Sequence, residues 1–143
     1  MSLLLRLARA FYDEDGFATT DPELERNFEV LLGADNAHLV LAAVDGSVSG
    51  FALTTTTFIL ESGTVAELQD LYVAPAARAN GVGTVLIDDA TRWAQSQSAT
   101  LLEIVIAPNG QDVSRLFDYY RTRGFVDEGR RILARPLSRP TSP

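Results

Sequence analysis

Apolar residues recur at helical spacing from the start of the chain, where Leu4, Leu7, Ala8 and Phe11 share one face, so Met1–Phe11 reads as an amphipathic helix. Arg6 and Arg9 break its apolar run, which is too short and too charged to span a bilayer or act as a secretory core. Tyr12-Asp13-Glu14-Asp15-Gly16 reads as an acidic turn. Thr20-Asp21-Pro22-Glu23 then has the spacing of a capping box with proline in the first turn, and opens a second helix. Leu24, Phe28, Leu31 and Leu32 form its buried stripe, and Gly33 stops it. Ala37–Val44 and Val48–Ile59 are β-rich runs joined by the hairpin signal Asp45-Gly46-Ser47; the threonines at 54–57 fit a strand's β-branched preference. A third strand, Val65–Val73, ends before Pro75. Thr84–Gln97 is helical, with Val85, Leu86, Ala90 and Trp93 on one face. The nearly continuous apolar run Leu101–Ile106 predicts a strand covered on both faces. Val113–Arg123 is a last helix stopped by Gly124, and Arg131–Leu137 a final strand. This order makes a mixed α/β sheet with one strand–helix–strand crossover, in a single domain over residues 1–137 followed by a frayed tail, Ser138–Pro143.

Composition narrows the chemistry. The chain has 143 residues, a formal net charge of −7, no cysteine and one histidine. A disulfide framework, a thiol nucleophile and the common structural zinc sites are thereby excluded. No metal site is expected, and His38, which opens an apolar strand, reads as structural. An acidic chain without a clustered Lys/Arg patch does not suit nucleic acid, because phosphate binding needs clustered cations; cationic or amine ligands suit its field better.

The chemistry sits in Leu68-Gln69-Asp70-Leu71-Tyr72-Val73-Ala74-Pro75-Ala76-Ala77-Arg78-Ala79-Asn80-Gly81-Val82-Gly83-Thr84, a strand running into a glycine-containing loop that opens a helix. The first-turn amides of a helix lack intrahelical acceptors, and its dipole adds partial positive charge, so such a loop binds a diphosphate through backbone N–H groups. Gly81 and Gly83 permit close approach and Arg78 adds a full charge. The spacing is neither G-x-x-x-x-G-K-[ST] nor G-x-G-x-x-G.

The remaining pattern, R-x-x-G-x-G after Leu-Tyr-Val, resembles the acetyl-CoA-binding motif of the GNAT superfamily of N-acetyltransferases. The resemblance extends over the first two helices, the Asp-Gly hairpin, the strand at 101–106 and the ending Tyr119-Tyr120-Arg121-Thr122-Arg123-Gly124-Phe125. It implies a mostly antiparallel central sheet flanked by helices, with one parallel pair that splays apart to admit the cofactor. The family's usual first strand is missing ahead of the first helix. Arg78, Ala79, Asn80, Gly81, Val82, Gly83 and Thr84 match the positions that hold the pyrophosphate of coenzyme A. Leu71, Tyr72 and Val73 match the strand that pairs with the pantetheine arm. Tyr120 matches the tyrosine that protonates the leaving thiolate. Many relatives carry a glutamate base where Gln69 stands, so Glu67, on the same strand face, is the favoured base and Asp70 the second. Asn109 fills the customary asparagine role only through an insertion, since counting back from Tyr120 places that position at Val113.

The resemblance thus implies a cytoplasmic enzyme that moves the acetyl group of acetyl-CoA to a primary amine of a small cationic molecule. Transfer is direct, with no cysteine to carry an acyl group. The same motifs would serve a protein N-acetyltransferase or a non-catalytic acetyl-CoA-binding module. The acids at 13–15 would line the acceptor's mouth, no membrane or nucleic-acid partner is expected, and a homodimer is the expected assembly.

Overall fold

The computed structural model describes residues 2–107 and 112–139. Its elements are α1 (Ser2–Asp15), α2 (Asp21–Leu32), β1 (Ala37–Val44), β2 (Ser47–Ile59), β3 (Gly63–Val73), α3 (Val82–Ser96), β4 (Leu101–Glu103) and α4 (Ser114–Arg121), with a short 3-10 turn at Pro75–Ala77. The sheet runs β1-β2-β3-β4. β1, β2 and β3 pair antiparallel, and β4 lies parallel to β3 after the α3 crossover.

Local chemistry explains most of these boundaries. Thr20 accepts a hydrogen bond from the Glu23 amide while Glu23 reaches back to the Thr20 amide, so α2 begins with both halves of a capping box. Asp45 and Gly46 take φ of 50° and 81°, the two positive values a tight hairpin between right-twisted strands requires. The acids at 13–15 do not form a turn. α1 continues through Asp15, helped by the Arg9–Asp13 pair one helical turn apart, and the chain reverses at Gly16.

The sheet is covered on both faces, and β2 divides its side chains between them. Phe51 packs with Leu4, Leu7, Leu24 and Phe28 of α1 and α2. Its neighbour Ala52 packs with Leu86, Ile87 and Ala90 of α3. His38 does serve a structural contact, joining β1 to α3 by a 2.8 Å bond from Nε2 to Asp89 and by stacking on Trp93.

Two expected strands come out differently. The parallel ladder consists of Val65↔Leu101, Ala66↔Leu102 and Glu67↔Glu103, so β4 stops at Glu103 and residues 104–107 leave the sheet instead of continuing to Ile106. The stretch at 131–137 is not a strand. Its Ile132-Leu133-Ala134 run is apolar, but no sheet edge among the described residues receives it, and Pro136 has no N–H to donate. Ile132, Leu133 and Leu137 are 71%, 98% and 82% exposed, and the segment is tied down by the pairs Arg130–Glu103 and Arg139–Glu23. Asn109 and residues 140–143 lie outside the described residues. Among the described residues no strand precedes α1, no helix is long and apolar enough to cross a membrane, and no cluster of three metal-ligating side chains occurs.

Candidate active site

Beyond Glu67 the edge of β3 that faced β4 has no ladder partner, while β3 keeps its pairing to β2 as far as Val73. This parallel pair therefore splays, and a cleft of about 720 Å³ opens between residues 68–73 and 104–107. The loop before α3, the end of α1 and the inner face of α4 complete its walls.

At the loop, Gly81 takes φ +77° as the N-cap of α3, a conformation costly for any residue with a Cβ. No side chain caps this helix, and the first amide with an intrahelical acceptor is that of Val85, bonded to Gly81 O at 3.1 Å. The amides of Val82, Gly83 and Thr84 are thus the free donors of a helix N-terminus facing the cleft, which is what a diphosphate requires. Arg78 stands beside them. Its Nε donates to Val73 O at 3.0 Å, its Nη2 pairs with Glu14 at 2.7 Å, and its guanidinium lies 5.7 Å from the Tyr72 ring centre. Ala79, also at positive φ, lines the cleft; Asn80 is exposed and does not.

Gly83 carries a second constraint that the sequence did not indicate. A Cβ built there would lie 2.1 Å from the Tyr119 hydroxyl, so α4 packs directly on the loop. Arg123, one turn after Tyr119, lies 3.5 Å over that ring and donates from Nε to Thr84 Oγ1 at 3.2 Å. A second cation thereby borders the anion end of the cleft. Sequence reasoning passed over it, although its i+4 spacing from Tyr119 puts both on one helix face.

Further along the cleft stand the proton-handling groups. Tyr120 packs edge-on against Phe125, and burial pushes its phenol up to about 12, with Tyr119 adding to the shift. It stays protonated through the physiological range, and no described residue hydrogen-bonds its hydroxyl. Asp70 lines the same cleft. Burial raises its carboxyl above the ordinary range, with Glu67 and Asp15 adding, while a 3.0 Å bond donated by the Tyr12 hydroxyl pulls the other way. Asp15, also on the cleft, is raised by burial and by Glu14. Gln69 donates to Thr55 Oγ1 at 2.7 Å.

Glu67 does not line the cleft. Strict alternation along β3 would set Asp70 on the face opposite Glu67, but a bulge at Gln69 intervenes: Leu53 pairs with Asp70 and the next residue, Thr54, with Leu68. Leu68, Leu71 and Val73 consequently all pack toward α3, whereas Asp70 and Tyr72 meet α1. The extra residue turns Asp70 to the side of Glu67 and into the cleft.

The chain matches the model of the acetyltransferase (GNAT) family over residues 4–125. An uncharacterised N-acetyltransferase of Archaeoglobus fulgidus is 26% identical over 106 residues, 73% of this chain and 72% of that protein. The aminoglycoside N(6')-acetyltransferase type 1 of Klebsiella aerogenes is 42% identical over 67 residues, 45% of this chain and 44% of that protein. The crystal structure of the aminoglycoside N-acetyltransferase AAC(6')-Iy in complex with CoA superposes with a TM-score of 0.82 at 21% identity, over 96% of this chain and 88% of that one. A splayed parallel pair, an uncapped helix N-terminus behind Gly81, and a family match over most of the length agree, and the chain belongs to the acetyltransferase (GNAT) family of acyltransferases.

Proposed function

We propose that this acyltransferase moves the acetyl group of acetyl-CoA to a primary amine of a small polycationic molecule, of the aminoglycoside or polyamine class, in one direct step. The observation that carries the reading is a single cleft holding both a diphosphate-type anion site and, around Asp15 and Asp70, an acidic wall suited to an ammonium group. The relatives named for aminoglycosides, and the CoA in one of those structures, support the same choice.

In this reading the amides of Val82, Gly83 and Thr84, with Arg78 and Arg123, hold the donor's phosphates. The free edge of Leu71, Tyr72 and Val73 pairs with its pantetheine arm. Asp70 takes the proton that the ammonium must lose before it can attack, Tyr120 protonates the departing sulfur, and an N–H of the splayed edge stabilises the oxyanion. Acetyl-CoA is an intracellular thioester, so the reaction is a cytoplasmic one. Release of CoA thiol across a panel of aminoglycosides, polyamines and lysine peptides tests the reading. Turnover on peptides alone would move the acceptor to protein, and CoA binding without turnover on any amine would leave a binding module.

Tyr120→Phe removes one hydroxyl and little volume, so turnover is expected to fall roughly 10²-fold with donor affinity unchanged. Steady-state kinetics paired with calorimetry check this, and full turnover in Tyr120→Phe beside its loss in Tyr119→Phe would transfer the acid to Tyr119.

The working assembly is a two-fold homodimer. Among the described residues β1 pairs with β2 alone, leaving an open sheet edge, and the apolar side chains at 132, 133 and 137 are exposed. Sedimentation equilibrium is expected to give a dimer that weakens when the chain ends at Glu128; a strict monomer at high micromolar concentration would overturn it.

A further inference from the structure

We propose that Tyr12 is the positioning residue for the amine-side carboxylate, its hydroxyl reaching from α1 to fix Asp70 in the wall between the cleft and a second, smaller cavity. The inference rests on the reading of Asp70 as the proton acceptor and adds the residue that makes it one.

Three observations converge. The Tyr12 hydroxyl donates to Asp70 Oδ1 at 3.0 Å across 58 positions of sequence, a side-chain hydrogen bond that joins α1 to β3. The cavity on that side, about 170 Å³, is lined by Tyr12, Thr19, Asn27 and Phe28 among others, and it shares Gln69 and Asp70 with the main cleft. Asp70 is therefore a partition: Tyr12 holds it from the small cavity, and the large cleft meets it from the other side. Finally, the Tyr12 ring is clamped, 5.3 Å from Phe11 and 5.0 Å from Phe17, and Phe17 is itself tied back by its amide to Tyr12 O at 2.8 Å. A ring so held presents its hydroxyl at one place. With Oδ1 engaged, Oδ2 accepts no hydrogen bond from a described residue and is the oxygen left for an ammonium proton.

The contact also sets when Asp70 can act. The titratable groups bearing on it are Tyr12 and Asp15 from α1 and Glu67 from its own strand. Burial and the two carboxylates favour the protonated acid, and the Tyr12 hydroxyl is what favours the carboxylate. Without that donor Asp70 must ionise later, at higher pH.

The test is Tyr12→Phe in the full chain, followed by carbon-13 carboxyl NMR of aspartate-labelled protein, with the Asp70 signal assigned through Asp70→Asn. Loss of one hydrogen bond to a charged carboxylate is expected to raise the Asp70 titration midpoint by about one pH unit. The acidic limb of kcat/KM, with acetyl-CoA and kanamycin or spermidine, should follow by the same amount. The rate then falls about ten-fold at pH below the limb and is unchanged well above it. Phe17→Ala, which keeps the hydroxyl but frees the ring, should shift both in the same direction by less, and serves if Tyr12→Phe does not fold. A lower melting temperature with an unmoved Asp70 titration would reduce Tyr12 to a packing residue and overturn the proposal. An NMR midpoint that moves while the acidic limb stays in place would keep the Tyr12–Asp70 contact but remove Asp70 as the base, and the proposal with it.

Discussion

Gly83→Val is expected to abolish measurable acetyl-CoA binding, with a loss on the order of 10²-fold or more, equivalent to about two charge-assisted hydrogen bonds. The first effect of the added side chain is local, because its Cβ would lie 2.1 Å from the Tyr119 hydroxyl and must push that ring away. The second is at the ligand, because the branched side chain stands over the amides of the first turn of α3, where phosphate oxygens must come within hydrogen-bond distance. The double variant Gly83→Val with Tyr119→Phe separates these effects, since it removes the clashing hydroxyl and leaves the obstruction over the amides. Binding should stay lost. Calorimetry that shows recovery in the double variant would make Gly83 a packing requirement of α4 alone. Arg78→Ala should cost less, about ten-fold, since Arg78 already donates from Nη2 to Glu14 and from Nε to Val73 O, and Arg123 supplies a second cation nearby.

What the sequence disclosed and what it hid divide along a physical line. Features set by residues close in the chain were legible: the Thr20/Glu23 box, the Asp45-Gly46 turn, the amphipathic faces of α1, α2 and α3, and the Gly81 entry to α3 all depend on local conformation. Features set by a distant partner were not. Leu101–Ile106 is apolar except at Glu103, but a strand needs a neighbour, and β3 stops being one at Glu67. The stretch at 131–137 is apolar enough for a strand, yet no sheet edge among the described residues receives it. The bulge at Gln69 has no signature in the residues around it, because it is a mismatch of count between β2 and β3, visible only once Leu53 and Thr54 are seen to face Asp70 and Leu68. That one extra residue puts Asp70 on the face of α1, within reach of Tyr12. Arg123 was hidden differently: its spacing from Tyr119 was available, but its meaning depends on Thr84, 39 positions away.

Asp70→Asn is expected to lower turnover by roughly 10²- to 10⁴-fold, the range for loss of a general base, and to make the folded protein more stable at neutral pH. The two effects have one cause. Burial, Glu67 and Asp15 raise the Asp70 carboxyl above its ordinary value. Between the unfolded and folded midpoints the native state therefore binds more protons than the unfolded one, and stability falls as pH rises through that window. A carboxylate that serves as the base must be held ionised against that tendency. Asparagine keeps an acceptor for the Tyr12 hydroxyl and removes the buried charge, so its melting temperature should exceed that of wild type at pH 7 and converge with it at acid pH, where Asp70 is protonated. Glu67→Gln should change neither turnover nor its pH profile by more than a few-fold, since Glu67 acts on Asp70 through charge and stands outside the cleft. Its removal should ease Asp70 ionisation and shift the acidic limb slightly downward. Kinetics and melting curves of both variants from acid to neutral pH check the pair. A dead Glu67→Gln beside an active Asp70→Asn would return the base to Glu67 and require that the bulge at Gln69 relax when the donor binds.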